Sequence, residues 1–106
     1  MNTEKISFQM ISNAGQARDL IFDALELIRD KEYKHAEDKI KEAEKLILRA
    51  HESHVYLVTE EAKGNKVEID LLLSHAMNIL LVTESERDMT KKIMEIDIAR
   101  FGEKQE

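Results

Sequence analysis

Between Ala36 and Glu61 the chain returns to one side of a helix at alternating steps of four and three residues, through Ala36, Ile40, Ala43, Ile47, Ala50, His54, Leu57 and Glu61. A period of that kind, sustained over more than three heptads, describes a long helix with a narrow buried seam. The seam is apolar over its first five members and mixed beyond them, where His54 and Glu61 lie on it.

The rest of the chain supplies two more helices of the same kind. No proline and three glycines among 106 residues leave little turn chemistry for a many-stranded sandwich or barrel. The first predicted helix runs over Thr3–Ile28, with Ile6, Met10, Ala14, Ala17, Ile21, Ala24 and Ile28 in steps of four or three. Within it Ala14, Gly15 and Ala17 form a small-residue patch at which another backbone can approach closely. The charged, apolar-free stretch Arg29-Asp30-Lys31-Glu32 is the first turn. The second helix spans Tyr33–Lys63 and stops at Gly64, which tolerates the left-handed conformation of a helix end, so Gly64-Asn65-Lys66 is the second turn. The third spans Glu68–Phe101, with Ile69, Leu73, Ala76, Leu80, Thr83, Arg87, Ile93 and Met94 on its inner side; Gly102 and the polar tail Glu103–Glu106 end it.

The expected fold is all-α, an antiparallel three-helix bundle in which residues 1–106 form one helical domain. Phe8, Phe22, Leu27, Leu48, Val55, Leu81 and Val82 fall off the main seams. A rod of three helices cannot cover every face, so self-association is expected.

Composition limits the function. With 22 acidic and 16 basic side chains the net charge is −6, against the clustered Lys and Arg of a nucleic-acid footprint. The longest uncharged apolar stretch, Leu71–Thr83, contains Ser74, His75 and Asn78 and is too short to span a bilayer, so no membrane insertion is expected. The lack of cysteine removes disulfide frameworks, thiolate zinc sites and cysteine nucleophiles, and fits a reducing, cytoplasmic setting. There is no Gly-rich phosphate loop, no G-x-S-x-G and no H-E-x-x-H.

Four histidines remain. His51 and His54 are helical neighbours, but a metal pair there needs further ligands from another helix. Glu32-x-x-His35 has the spacing of di-iron bundles, which require a second such motif and two more Glu on four helices. No metal site is assigned to them; His35 reads as a surface residue, and His51 and His54 as packing or interface residues. His75 has Leu71, Leu72, Asn78 and Ile79 as its helical neighbours, an apolar setting expected to desolvate the ring and hold it neutral. Two readings stay open for it: an imidazole satisfied in a core or interface, or a nucleophile with one nitrogen lone pair free.

Three stretches, in order, carry a family resemblance. Ala14-Gly15-Gln16-Ala17-Arg18 is similar to an A-G-x-A-R motif. Ala50-His51, Leu57-Val58 and Glu61-Ala62-Lys63-Gly64 match A-H-x-x-Q-T-x-L-I-x-x-E-A-x-G in unbroken register, with His54 and Val55 at its Gln and Thr. His75-Ala76-Met77-Asn78-Ile79-Leu80-Leu81 stands where the pattern reads H-A-Q-D-H-L-M. Together they resemble the IIA component of the lactose/cellobiose class of bacterial phosphoenolpyruvate-dependent sugar phosphotransferase systems.

That resemblance implies a nine-helix homotrimer of three-helix subunits. It also implies a phosphoryl relay: the phosphocarrier HPr donates to the histidine, which passes the group to the IIB component for phosphorylation of a disaccharide of the cellobiose, chitobiose or lactose class. His75 would be the phosphohistidine, with His51, His54, Met77 and Asn78 lining its site. The family's Asp, which clusters on the three-fold axis and binds a divalent cation, is Asn78 here, a poor sole ligand for Mg²⁺. No cofactor is therefore expected. Met77 and Ile79 replace the motif's Gln and second His with apolar groups. These departures favour the alternative of a non-transferring helical adaptor on the same fold; the retention of His75 in register favours the carrier.

Overall fold

Alanine sets the helix spacing in the computed structural model, which describes residues 1–102. Ala14, Ala17 and Ala24 of α1 (Thr3–Arg29) and Ala36, Ala43 and Ala50 of α2 (Tyr33–Ala62) are all fully buried. The third helix, α3, spans Leu71–Phe101 and adds Leu73, Ala76 and Leu80 to the same core. Met10, Ile21, Ile47 and Leu57 fill one stretch of that core, and Ile28 and Ile40 fill a second beside the first turn. The three helices form a rod of 58 × 20 × 16 Å. The tail 103–106 lies outside the described residues.

Both helix–helix connections close with paired backbone bonds. At the end of α1, Glu32 N–H donates to the Leu27 carbonyl at 2.8 Å and Lys31 N–H to that of Ile28 at 3.0 Å. At the end of α2, Asn65 N–H donates to Glu60 and Gly64 N–H to Glu61, each at 3.0 Å. These are Schellman closures, which need a left-handed residue just beyond the cap. Gly64 fills that role in the second with φ 95°, and Lys31 fills it in the first with φ 59°.

The first two seams match the periodicity, with His54 half-buried and Glu61 exposed at the mixed end. The third helix departs from expectation at its start. It begins at Leu71 rather than Glu68, because the extended Asp70 caps it, its carboxylate accepting from Leu73 N–H at 2.8 Å. Ile69 therefore precedes the helix and is exposed. Further along, Thr90 is buried and Ile93 exposed, because a straight helix turns the seven-residue step from Thr83 onto the core face. Thr83 accommodates its burial by donating to the Ile79 carbonyl at 2.6 Å. Ser7 is also buried, its hydroxyl oxygen without a hydrogen-bond partner among the described residues. The small-residue patch on α1 divides: Ala14 and Ala17 face the core, and a Cβ placed on Gly15 meets nothing within 4 Å.

Side chains fix how α3 lies on its neighbours. Arg18 of α1 makes a two-pronged pair with Glu86, Nε to Oε1 at 2.7 Å and Nη2 to Oε2 at 3.0 Å. The Tyr33 hydroxyl donates to Asp97 at 2.6 Å. Across α2, Glu44 lies 3.3 Å from Lys91 and 3.9 Å from Arg87.

Candidate functional site

The cap at Asp70 decides where the candidate nucleophile stands. With α3 starting at Leu71, His75 falls in its second turn. Leu72 and Ile79 beside it are half-buried, whereas Leu71, His75 and Asn78 are exposed. The desolvation expected for His75 from its spacing is thus not supplied within one chain. Its apolar neighbours flank the ring without covering it, because the imidazole points off the core-facing side set by Leu73, Ala76 and Leu80.

His51, His54, Met77 and Asn78 do come together. They line one groove of about 350 Å³ between α2 and α3, completed by Leu80, Leu81 and Glu84. His51 Nδ1 stands 4.0 Å from Glu84 Oε2. The groove continues along the same helix pair into a hollow lined by Glu44, Ile47, Leu48, His51, Glu84 and Arg87. Glu84 was not singled out from the sequence, and Leu81 stood there as an apolar residue off the main seam and the last of its motif, not as part of a site. The signal was available: Met77, Leu81 and Glu84 follow at steps of four and three and share one edge of α3.

His75 is not part of that groove lining. It shares an edge of α3 with Glu86, roughly three helical turns further on, and Glu86 is held by Arg18 of α1. The histidine therefore occupies the α1 edge of α3 and the groove the α2 edge. His35, the fourth histidine, is exposed at the start of α2, 3.1 Å from Glu32.

From the His75 edge to the groove edge, both included, runs an uncovered stripe. Leu71, His75, Asn78, Val82, Ser85, Met89, Ile93 and Ile96 follow in steps of four and three, with one four–four stutter at Met89, and every one is exposed. Leu71 is 90% exposed and Met89 59%. Phe8 and Phe22 are exposed on α1, and Leu48 and Val55 on α2. Among the described residues no group of three His, Asp or Glu side chains converges on a metal-ion position, and no helix is long and apolar enough to cross a membrane.

Residues 5–97 match the family described as "PTS system, Lactose/Cellobiose specific IIA subunit". The chain is 30% identical over 99 residues to the lactose-specific EIIA component of Streptococcus mutans, covering 91% of this chain and 95% of the relative. It is 30% identical over 96 residues to the oligo-beta-mannoside-specific EIIA component of Bacillus subtilis, covering 91% and 87%. The fold resembles the crystal structure of the cellobiose-specific enzyme IIA of Bacillus anthracis, with a TM-score of 0.88, 28% identity and coverage of 93% and 91%. It is equally similar to PtcA from S. mutans, at TM-score 0.88, 33% identity and coverage of 92% and 98%.

Proposed function

We propose that this chain, which belongs to the lactose/cellobiose-specific IIA family of the phosphotransferase system, is a phosphoryl carrier whose acceptor is His75. The observation that carries the proposal is the position of His75: in motif register, in the second turn of α3, and exposed, with no ion pair or hydrogen bond to its ring among the described residues. A carrier must meet two protein partners in turn, so its acceptor has to be reachable from outside the subunit. Phospho-HPr would be the donor and the IIB component the next acceptor, which places the relay in the cytoplasm.

The chemistry is a paired exchange. A ring nitrogen of His75 attacks the phosphorus, a new P–N bond forms as the bond to the donor histidine breaks, and the reverse occurs on IIB. A phosphoramidate retains a high transfer potential, which suits a reversible carrier. The protein supplies positioning and electrostatics rather than further covalent steps. His75 lies close to the N-terminal end of α3, whose dipole favours the added negative charge, while the Asp70 carboxylate opposes it.

The working form is a homotrimer. His75 on the α1 edge and the groove on the α2 edge meet only between copies, and a closed ring brings the α1 edge of one chain to the α2 edge of the next. His51 and His54 would then line the site from a neighbouring copy, with Met77 and Asn78. Relatives carry names for lactose, oligo-beta-mannoside, lichenan and cellobiose, so the sugar served belongs to the same disaccharide and oligosaccharide class.

Incubation with phosphoenolpyruvate, enzyme I and HPr, read by intact mass, tests the carrier. One added phosphoryl group, lost in acid and in the His75→Gln variant, supports it. No uptake from several cognate HPr preparations leaves the adaptor in its place.

A further inference from the structure

The exposed stripe on α3 is a heptad-like seam with no partner among the described residues. Its five apolar positions, Leu71, Val82, Met89, Ile93 and Ile96, do not distinguish a copy of this chain from another apolar surface; Asn78 does. A single amide set among apolar residues in a heptad seam is the device by which identical helices fix their register, since misaligned copies leave the amide buried without a hydrogen-bond partner.

The extent of the surface fixes the occupant. From Leu71 to Ile96 the stripe runs about 39 Å at the helical rise, and at a helix width of about 10 Å it offers on the order of 400 Å². A stable pair needs about 800 Å² from each partner. The stripe alone falls short, so the flanks must contribute. Phe8 and Phe22 lie on the α1 flank and Leu48, Val55 and Leu81 on the α2 flank. A closed three-fold ring sets α1 of one copy on α2 of the next, so that both flanks of every copy add to the contact made by the stripe.

We infer that Asn78 forms an uncharged amide layer in the α3 seam at the centre of a ring of three copies, so that this chain assembles without the divalent cation that the family's Asp binds at this position. The donor set does not fit that cation. Mg²⁺ favours carboxylate and water, and three amides bring no charge to offset its own. No acidic side chain on the stripe replaces the missing carboxylate; its polar members are His75, Asn78 and Ser85. Three carboxylates at short range repel one another and need a cation between them. An amide both donates and accepts, so three of them close a hydrogen-bonded ring unaided.

The inference rests on the trimeric form of the carrier, and its test is independent of phosphoryl transfer. Sedimentation equilibrium at micromolar concentration in EDTA is run on the wild type, Asn78→Asp and Asn78→Leu. The wild type should sediment at three times the 12.3 kDa chain mass, with or without EDTA. Asn78→Asp should dissociate in EDTA and reassemble when Mg²⁺ is added. Asn78→Leu should stay associated but give a mixture of sizes, having lost the register device. Dissociation of the wild type by EDTA, a monomeric wild type, or an Asn78→Asp trimer indifferent to EDTA overturns the inference. A metal-free trimer that takes up no phosphoryl group overturns the carrier and leaves the amide layer standing.

Discussion

Arg18 and Glu86 are joined by two parallel hydrogen bonds, at 2.7 and 3.0 Å, across the α1–α3 interface. The same guanidinium lies 5.7 Å from the centre of the Phe22 ring. The hydrogen bond and charge of Glu86 raise the Arg18 pKa further above its already high ordinary value. The pair fixes which edge of α3 faces α1, and so which edge carries His75. It remains open to solvent, the two side chains being 37% and 25% exposed, which limits its worth.

Replacing either partner should therefore cost stability modestly. Arg18→Lys keeps the charge but loses the fork geometry, and Glu86→Gln loses the charge. Each should lower the free energy of unfolding by about 0.5–1 kcal/mol, with a smaller loss at high salt. Urea titration at two ionic strengths checks this; no change in either variant would show that the pair does not hold α3.

Lys31 stands where a glycine belongs. Its φ of 59° closes the end of α1 by the same backbone bonds that Gly64 makes at the end of α2. A side chain in the left-handed region costs about 1–2 kcal/mol, partly offset here by the Lys31 ammonium 5.7 Å from the Phe101 ring centre. Lys31→Gly should raise the unfolding free energy by up to about 1 kcal/mol, and Lys31→Val should lower it. Urea midpoints of the two variants measure the difference; a destabilised glycine variant would mean that the aromatic contact outweighs the backbone.

Tyr33 should titrate late. Its hydrogen bond to Asp97, reinforced by partial burial and by the carboxylate charge, pushes its pKa up to about 12. The folded pKa lies above the ordinary value of 10.0, so this contribution to stability is fully present below pH 10 and is lost as the pH rises from about 10 to about 12. Phenolate absorbance in a Tyr56→Phe variant, which leaves Tyr33 as the remaining phenol, should rise with a midpoint near 12. Asp97→Asn should move that midpoint down. A midpoint near 10 with Asp97 intact would contradict the contact.

How far the molecule was legible in its sequence can be traced residue by residue. Ala36, Ile40, Ala43, Ile47, Ala50 and Leu57 are all buried as their spacing requires, because a long two-sided pattern leaves a helix one way to lie. Gly64 marked its turn, since only a left-handed residue completes that closure. Lys31 left no such mark, because nothing in a lysine announces a positive φ. Asp70 was hidden behind Ile69, whose spacing to Leu73 imitates one more helical turn. Thr90 displaced Ile93 because it stands seven residues, about two turns, beyond Thr83 and keeps to the core face, whereas Ile93 stands ten residues beyond and lies off it; its apolar side chain masked that offset. The motif pattern named four residues that share one groove, His51, His54, Met77 and Asn78. It could not tell that His75 faces the other edge, since side-chain direction across a three-helix rod depends on how α3 is rotated against α1 and α2.

The carrier assignment turns on one atom's worth of chemistry at His75. Intact mass and peptide mapping after incubation with phosphoenolpyruvate, enzyme I and HPr should find one phosphoryl group per chain on that residue, labile to acid and stable to base. His75→Gln should abolish it with helicity and sedimented mass unchanged. His35→Gln should take up the group as the wild type does, and His51→Gln should slow uptake without removing the acceptor. Label that persists in His75→Gln, or a wild-type chain that takes up none, would contradict the account.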